Sequence, residues 1–482
     1  MMISTYPNVS GKYLIDGKWI EAEKTSKIMN PADVTEVVGE VALCTLEDVD
    51  HAITAAEVAY KLWSKSDINE RASKMKAAAL EIRAIVEENV PVLVRENGKV
   101  LVEAKKDLLR CVDIMNEAAA ELLNWWQPEI LPGSQKVQIR RRPRGVTAII
   151  SPWNSPMILT FKRVIPAILA GNSVVVKPAT NCPLTIMTFL KVVASYFPKG
   201  VVNVITGSGS VIGDALCTDP RIRTIAFVGS TETGKEIMKA AASNVKNIYM
   251  ELGGNDAAIV LEDANLDDEL ITKLRYGILR AAGQVCSAVK RVYVHESKYD
   301  ELVEKLRKKF QYIRVGNGIQ PDVEMGPLNN KAQYDYVTGL IDRSEQSGAT
   351  VITGGIQIDP EGWADGYFIA PTIITGAAQN SEIVQTEQFG PVIPILQFST
   401  HEEAIQLAND SNFGLRASVW SENEELAIEF ADQLEAGAVF INNHTVFQDL
   451  HLDFPGLKES GISRETRHCS LEFFADTFGF AN

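Results

Sequence analysis

Cysteine is scarce in this chain of 482 residues, and no cysteine stands in a metal-binding arrangement. The six cysteines form no Cys-x-x-Cys pair and no Cys/His cluster at zinc spacing, which argues against a structural metal and favours a reducing compartment. Residues 1–20 lack a charged segment followed by an apolar run, and no apolar stretch reaches the roughly 20 residues of a membrane span. We therefore expect a cytoplasmic protein with no signal peptide, membrane partner or bound metal.

Basic residues are outnumbered by acidic ones, and the formal net charge is −15. An acidic surface repels nucleic acids and anionic membranes, so neither is an expected partner. The one dense basic run, Arg140 to Arg144, is better explained as a strand edge or a subunit contact than as a nucleic-acid site. The hydrophobic content of 46% is that of an ordinary globular protein, and the length allows two or three domains.

The hydrophobic pattern predicts a largely helical amino-terminal part followed by two α/β sections. A hairpin is expected over residues 13–22, and three long helices between residues 45 and 127. Residues 135–142 alternate as a strand that could reach a partner subunit. From Gly145 onward, short β-branched strands alternate with helices, as in a doubly wound parallel sheet, and the alternation continues beyond Cys286. A cleft is expected where the two α/β sections meet.

Glu251 and Cys286 each stand in a glycine-rich turn, and we expect them to carry the chemistry. A buried strand is predicted between them over residues 257–261, and an amphipathic helix from about Leu266. A thiolate is a natural nucleophile for a carbonyl carbon, and a carboxylate is a natural base for water. Taken alone the pairing is weak, because a lone cysteine is more often an inert buried residue.

Other candidates follow predicted strands, where ligands bind in doubly wound sheets. Asn154 could donate to a developing oxyanion or simply cap the next helix, and Lys177 could hold a hydroxyl or phosphate or lie at the surface. Glycine-rich turns over residues 207–213 and 229–234 each precede a helix, whose first amides can receive a phosphate. Neither turn matches G-x-G-x-x-G, so each is weak evidence by itself.

Seven motifs together show a resemblance to the NAD(P)-dependent aldehyde dehydrogenases, which extends from about Tyr13 to Glu465. In order they are PWN, KPA, FVGSTETG, ELGGN, GQVC, EQFGP and PGLKESG. The resemblance implies an α/β fold with a Rossmann-like cofactor domain, an α/β catalytic domain, a small β oligomerisation arm, and a homodimer or homotetramer. The corresponding ranges are 1–122 and 144–252 for cofactor binding, 253–446 for catalysis, and 123–143 and 447–482 for oligomerisation.

The resemblance also implies catalytic roles for three residues. Cys286 would attack the aldehyde, the side chain of Asn154 and the backbone N–H of Cys286 would hold the oxyanion, and Glu251 would activate the water that hydrolyses the thioester. Two rivals stay open: an enzyme that passes the acyl group to CoA, and a catalytically silent protein on the same fold. Glu251 argues against the first, since that branch generally lacks the base.

The cofactor residues implied by the resemblance are Trp153, Lys177, Gly229, Ser230, Glu387 and Phe389. Many NAD-preferring relatives carry a glutamate three places after the KPA-type lysine, whereas this chain has Thr180. A carboxylate would repel a 2′-phosphate, and a threonine leaves room for it. We therefore expect that NADP is accepted as well as NAD and favour NADP as the preferred cofactor; the alternative is an NAD enzyme with fewer ribose contacts.

The substrate prediction depends on two cations, Lys162 and Arg280. Succinate-semialdehyde dehydrogenases carry arginine at both positions and bind the distal carboxylate with them, so a short anionic semialdehyde such as succinate semialdehyde is expected. Val285 and Ser287, beside the nucleophile, neither demand nor exclude an aromatic substrate. If the two cations pair with surface acids, a neutral aliphatic or aromatic aldehyde is the alternative substrate. A sulfonated or phosphorylated aldehyde also stays open, since lysine at 162 weakens bidentate carboxylate binding.

Overall fold

Short strands that alternate with helices form the body of the computed structural model, which describes residues 8–132, 137–444, 455–462 and 468–481. The strands up to Glu251 are β1 (Lys12–Ile15), β2 (Lys18–Glu21), β3 (Thr25–Asn30), β4 (Asp33–Ala42), β5 (Glu129–Leu131), β6 (Val137–Pro143), β7 (Val146–Ile150), β8 (Ser173–Lys177), β9 (Val202–Val204), β10 (Ile222–Val228) and β11 (Asn247–Glu251). The later strands are β12 (Asp256–Val260), β13 (Val289–His295), β14 (Arg314–Val315), β15 (Thr350–Thr353), β16 (Ile356–Gln357), β17 (Thr372–Thr375), β18 (Val392–Phe398), β19 (Phe413–Gly414), β20 (Arg416–Trp420), β21 (Ala438–Ile441), β22 (Leu457–Lys458) and β23 (Ala475–Ala481).

The helices begin at polar caps in most cases, because a side-chain oxygen there accepts from an unpaired backbone N–H. In chain order they are α1 (Leu46–Trp63), α2 (Ile68–Asn97), α3 (Leu101–Trp125), α4 (Pro156–Leu169), α5 (Leu184–Tyr196), α6 (Gly209–Thr218), α7 (Thr231–Ala242), α8 (Asp268–Leu279), α9 (Tyr299–Gln311), α10 (Lys331–Gln346), α11 (Glu382–Gln385), α12 (His401–Asn409) and α13 (Glu424–Ala431).

The first sheet has the order β11-β10-β7-β8-β9-β1-β2, counted over the described residues. Its strands β11 to β9 are parallel, and the β1–β2 hairpin adds an antiparallel edge. The chain starts this parallel unit at β7, proceeds outward through β8 and β9, and then crosses back to β10 and β11. The order therefore reverses between β7 and β10, and ligands of doubly wound sheets bind beyond the strand ends at such a point.

The second sheet has the order β15-β17-β18-β13-β12-β20-β21 and is parallel except at the β15 edge. Its central strands β12 and β13 are buried along almost their whole length, as expected for a parallel sheet with helices on both faces. The strand β11 of the first sheet and β12 of the second are separated by only four residues, Leu252 to Asn255. The carboxyl end of one sheet is thus joined directly to the start of the other.

A third sheet is formed by β23, β6 and β5, all antiparallel. Its strand β6 carries most of the basic run, and two of these arginines lie over aromatic rings of β23: Arg140 is 5.3 Å from the Phe480 ring and Arg142 is 5.5 Å from the Phe478 ring. Arg144 makes an ion pair of 3.0 Å with Asp476. The basic run therefore covers the carboxyl-terminal strand of the same chain.

The sequence pattern missed several short strands and shifted other elements by a few residues. The antiparallel β3–β4 pair was not predicted, and neither was β11, which carries Glu251. The helix expected from about Leu266 begins at Asp268, where Asp267 caps it by accepting from the Leu270 N–H. The residues 133–136, 445–454, 463–467 and 482, parts of the predicted oligomerisation segments among them, lie outside the described residues.

Candidate active site

The junction of the two sheets brings Glu251 and Cys286 together. Glu251 is the last residue of β11, and Cys286 lies in the loop that leads into β13. The Cys286 thiol donates a hydrogen bond to the Glu251 Oε1 atom over 3.2 Å. The two residues that the sequence singled out as nucleophile and base are therefore in direct contact, although 35 positions separate them along the chain.

The other carboxylate oxygen of Glu251 is bound by Arg163 of α4. Arg163 Nη2 donates to Glu251 Oε2 over 2.7 Å, and the two side chains are 2% and 4% exposed. The same nitrogen lies 2.9 Å from the Tyr249 hydroxyl, and the guanidinium lies 4.8 Å from the Tyr249 ring centre. The backbone of Glu251 is fixed too, because its carbonyl accepts from the Gly229 N–H over 3.2 Å. The carboxylate is therefore held with one oxygen on Arg163 and the other on the thiol.

The loop that carries Cys286 has its carbonyl groups held by side chains on both sides of the nucleophile. Asn154 Nδ2 donates to the Gln284 carbonyl over 3.0 Å, and Lys290 Nζ donates to the Val285 carbonyl over 2.8 Å. His444 Nε2 lies 3.1 Å from the Ser287 carbonyl. Burial lowers the pKa of His444 to about 3, so its imidazole is neutral and donates from Nε2 to that carbonyl.

The backbone just before this loop is in a left-handed conformation that alanine rarely adopts. Ala281 and Ala282 have φ angles of 49° and 54°, and Gly283 follows at 73°. Each alanine in this region costs about 1 kcal/mol or more, which the surrounding contacts must offset. One of those contacts is the Gln284 Nε2 donation to the Ala281 carbonyl over 3.0 Å. The nucleophile thus lies directly after a strained turn, a feature that is common at active sites.

The charges around Cys286 keep its thiol protonated in this arrangement. Burial is the main cause that raises the pKa of Cys286, and the carboxylates of Glu251, Glu387 and Asp256 raise it further. A buried thiol surrounded by negative charge does not ionise spontaneously. Because Glu251 Oε1 already accepts from the thiol, it is placed to take the proton when an electrophile arrives.

Of the groups predicted to hold a phosphate or ribose, those that follow β8 and β10 fit a dinucleotide. Lys177 ends β8 and is buried, burial lowers its pKa, and its ammonium has no hydrogen-bond or ion-pair partner among the described residues. Gly229 directly follows β10, which lies beside the reversal of strand order. Ser230 is exposed and caps α7 by accepting from the Thr233 N–H over 3.4 Å. A buried cation without a partner and an open helix start suit the hydroxyls and pyrophosphate of such a group.

Of the three residues predicted for the nicotinamide end, Glu387 acts electrostatically on the Cys286 thiol, and Trp153 and Phe389 pack against each other. The rings of Trp153 and Phe389 are 5.5 Å apart and nearly perpendicular, and Phe389 has a φ of 52°. Glu387 accepts from the Gly254 N–H over 3.1 Å, and burial raises the pKa of Glu387 to about 7. A carboxylate and two ring faces are thus available for a ribose and an aromatic ring. Thr180 lies half-buried on the turn after β8.

The two predicted substrate cations lie in different surroundings. Arg280 ends α8 and lines a cavity of about 320 Å³ together with Lys106 and Glu103, and this cavity does not include Lys162. Lys162 is half-buried on α4. Burial, together with the charges of Glu117 and Glu121, raises the pKa of the Cys469 thiol to about 12, and the charge of Lys162 opposes this rise. Each cation therefore has acidic residues near it. Val285 and Ser287 are both buried.

Sequence reasoning missed Arg163, Lys290 and His444. A signal for Arg163 exists, because α4 is apolar on nearly every side and a charged residue in such a helix must find a buried partner. Lys290 likewise stands in the buried strand β13. His444 has no comparable signal, since its partner Ser287 is 157 positions away. Within the described ranges, no group of three or more His, Cys, Asp or Glu could hold a metal ion, and no described helix is long and apolar enough to cross a membrane.

Comparison with known proteins shows the family to which the chain belongs. The model of the aldehyde dehydrogenase family matches residues 19–478. The alpha-ketoglutaric semialdehyde dehydrogenase of Bacillus subtilis (strain 168) is 35% identical over 473 residues, with 95% of each chain covered. An aldehyde dehydrogenase of Davidiella tassiana is 36% identical over 484 residues, covering 97% of this chain and 95% of the other.

A solved structure of similar fold is the betaine aldehyde dehydrogenase of Staphylococcus aureus in complex with NAD⁺. It is 34% identical, has a TM-score of 0.94, and the match covers 98% of this chain and 95% of that one. These matches confirm the predicted family resemblance and the aldehyde dehydrogenase fold. The matches do not establish the specific aldehyde, because these relatives are named for different substrates.

The Arg163–Glu251 ion pair can be tested by a double-mutant cycle. Arg163→Met leaves the Glu251 carboxylate buried without its counter-charge, so we expect the free energy of unfolding to fall by about 3–5 kcal/mol. Glu251→Gln in the same chain should restore about half of this loss, as measured by urea denaturation of the four proteins.

Arg71→Met is the matched control. Arg71 is also buried, but its guanidinium is bonded to the carbonyls of Ser64 and Leu169, so its loss should add to that of Glu251→Gln without coupling. Simple additivity for Arg163 and Glu251 would contradict the strong ion pair.

Proposed function

The chain belongs to the aldehyde dehydrogenase family, and we propose that it oxidises a short anionic aldehyde to the carboxylate through Cys286. The observation that carries this proposal is the contact of 3.2 Å between the Cys286 thiol and Glu251 Oε1, with Glu251 Oε2 on Arg163. A nucleophile and an oriented base in one buried pocket are what aldehyde oxidation by way of a thioester requires.

In the first step Glu251 takes the thiol proton as Cys286 attacks the carbonyl carbon. The carbonyl π bond becomes an oxyanion on the new C–S adduct. Asn154 Nδ2 carries two hydrogens, and one of them is used on the Gln284 carbonyl. The second hydrogen and the Cys286 backbone N–H can hold the oxyanion. Because the loop carbonyls are already bonded to fixed side chains, these donors need little reorganisation.

In the second step the adduct collapses to a thioester, and Glu251 is used again. When bound, the nicotinamide supplies the acceptor for the hydride that leaves the adduct carbon. Glu251, having released its first proton to solvent, then removes a proton from water that attacks the thioester. The C–S bond breaks, and the sulfur leaves as a thiolate that takes up a proton to regenerate the thiol. Arg163 keeps Glu251 directed at this carbon throughout.

The cofactor proposal depends on what surrounds Lys177. The Lys177 ammonium would hold ribose hydroxyls, Gly229 and Ser230 would lie against the pyrophosphate, and Glu387 would accept from the ribose beside the nicotinamide. Thr180, three residues after Lys177, leaves room for a 2′-phosphate. We therefore keep the prediction that NADP is accepted and favoured over NAD.

The substrate proposal is supported by Lys162 and Arg280 and limited by their acidic neighbours. The B. subtilis relative is named for a semialdehyde with a carboxylate tail, whereas the S. aureus structure is of an enzyme named for a cationic aldehyde. The two cations, which the family resemblance assigns to the substrate, favour the anionic class, with succinate semialdehyde as leading candidate and sulfonated or phosphorylated aldehydes as alternatives. If Glu103 and Glu117 neutralise these cations, a neutral aliphatic or aromatic aldehyde becomes the substrate.

The assembly and location follow from other parts of the chain. The β5–β6–β23 sheet supports a role of residues 123–143 and 447–482 in a homodimer or homotetramer. The ranges 1–122 and 144–252 for the cofactor domain and 253–446 for the catalytic domain stay as predicted. All six cysteines are free thiols, which supports a reducing, cytoplasmic location. Hydrolysis rather than transfer to CoA is favoured by the base Glu251.

The role of the base can be tested with Glu251→Gln. The variant should still release one equivalent of reduced nicotinamide, but more slowly because the Cys286 thiol has lost its proton acceptor, while steady turnover falls by about 100-fold or more because thioester hydrolysis lacks its base. Stopped-flow fluorescence measures both phases. Glu269→Gln, an exposed acid on α8, should behave as the unmodified protein, and Cys286→Ser should not release this first equivalent; unchanged turnover of Glu251→Gln would disprove the role.

The cofactor prediction can be tested at Thr180. Thr180→Glu places a carboxylate near the adenosine ribose, so kcat/KM with NADP should fall about tenfold or more while that with NAD changes little. Thr180→Gln, similar in size but neutral, is the control. A strong preference of the unmodified protein for NAD would refute the prediction.

The substrate prediction can be tested with aldehydes of matched length. Succinate semialdehyde, a sulfonated aldehyde, butanal, betaine aldehyde and benzaldehyde should rank with the anionic members first in kcat/KM. Lys162→Met and Arg280→Met should each raise KM for the anionic members by about tenfold and leave butanal unchanged, since only a charged tail loses its partner. Lys308→Met, exposed on α9, is the control, and equal effects on butanal would overturn the assignment.

A further inference from the structure

Lys290 is a buried cation of the site for which the mechanism above has no use. It lies four residues after Cys286 on β13 and is 1% exposed. Its Nζ donates to the Gly283 and Val285 carbonyls, both over 2.8 Å. These carbonyls lie three residues and one residue before the nucleophile. The ammonium therefore binds the backbone of the loop on the amino-terminal side of the thiol.

The surroundings of Lys290 explain how a charged group is tolerated there. An ammonium loses most of its hydration when buried, and burial lowers the pKa of Lys290. Opposing this are the two loop carbonyls, the Phe389 ring at 5.3 Å, and the negative charges of Glu387 and Asp256. The charges of Lys290 and Cys286 also act on each other. The cation is thus retained among groups that belong to the nucleophile and to the cofactor side.

The charges around Cys286 indicate how the positive charge of Lys290 can act on the thiol. Several elements direct titratable or charged groups at the thiol or at its immediate neighbours: Glu251 on β11, Asp256 on β12, Lys290 on β13, Glu387 before β18, Arg163 on α4 and His444 after β21. The carboxylates among them oppose a thiolate, Arg163 is bound to Glu251, and His444 is neutral. Lys290 supplies positive charge on the loop itself, where it meets the new negative charge on sulfur.

We propose that Lys290 is a positioning residue that fixes the Cys286 loop through the Gly283 and Val285 carbonyls and stabilises the Cys286 thiolate with its positive charge. This inference rests on the proposed role of Cys286 as the nucleophile. A neutral residue at 290 could fill the same volume but would supply neither the two charge-assisted hydrogen bonds nor the field. Without that charge the Cys286 thiol would be harder to ionise, although no residue of the loop itself has changed.

The test is the pH profile of Cys286 alkylation by iodoacetamide, in which the thiolate displaces iodide, with the labelled residue identified by mass spectrometry. Lys290→Met should move the midpoint of this profile upward by about 1 pH unit or more, because a nearby positive charge is worth that much to a thiolate. Lys290→Arg should keep the original midpoint. In Lys290→Gln, whose amide can still donate to a carbonyl, the midpoint should also move upward if the charge matters. If only hydrogen bonding matters, the profile of Lys290→Gln should coincide with that of the unmodified protein.

Lys246→Met is the matched control for the loss of a buried lysine. Lys246 is also buried and donates to the Asp219 and Ile222 carbonyls, but it lies before β11, at the opposite end of that strand from Glu251. Its removal should lower the unfolding temperature without moving the alkylation midpoint. A midpoint that Lys290→Met and Lys290→Gln both leave in place overturns the inference, as does an equal shift from Lys246→Met. If Lys290→Met does not fold, Lys290→Gln and Lys290→Arg decide alone.

The proposed function fails by a different result. If Cys286→Ser kept its dehydrogenase activity, Cys286 would not be the nucleophile whatever the alkylation profile shows. If Cys286→Ser were inactive and the Lys290 variants kept the midpoint, only the role of Lys290 would be lost.

Discussion

The buried ion pair between Arg163 and Glu251 is the interaction on which the geometry of this site depends. An unpaired charge is costly to bury, and a carboxylate that turned toward solvent would be removed from the thiol. Arg163 supplies the buried counter-charge, because it binds one oxygen and leaves the other for Cys286. The helix α4 can place Arg163 there only because it packs against the same sheet whose last strand carries Glu251. Packing of the first sheet therefore sets the chemistry at its edge.

The nucleophile comes from the second sheet, so the site also requires the two sheets to keep a fixed relation. The short segment between β11 and β12 joins them on one side, and Asn154 joins them on the other by donating to the Gln284 carbonyl. Lys290 and His444 then hold the same loop from within the second sheet. The strained backbone at Ala281 persists because so many independent contacts fix the residues that follow it. Because the sulfur is already held in place, the loop does not have to become ordered when the substrate binds, as an exposed loop would.

The sequence allowed the fold class and the central residues to be predicted because they depend on local pattern and on chemistry. Alternating β-branched strands and helices indicate a doubly wound fold, and Cys286 and Glu251 stand in glycine-rich turns whose order matches a family. The partners of these residues were not predictable in the same way. Arg163 contacts a residue 88 positions away, and Lys290 contacts backbone carbonyls of the loop. Every residue has a backbone carbonyl, so the amino-acid sequence does not indicate which carbonyl a lysine will bind. The strand β11 was missed because its sequence NIYME has a single β-branched residue and ends in a glutamate, whose burial depends on its contact with Arg163.

Catalysis and substrate choice are physically separable in this molecule. The charges that act on the sulfur are buried and shielded from solvent, so their balance does not depend on which aldehyde enters. Lys162 and Arg280 are half-buried and have acids near them, so the field that a substrate tail meets is a small difference between opposing charges. A single substitution at such a position can reverse the sign of that field without disturbing the thiol. Under the proposed substrate assignment, the two cations rather than the catalytic centre would decide which aldehyde tail is accepted, and one fold could then serve aldehydes with tails of opposite charge, such as those for which the two relatives are named.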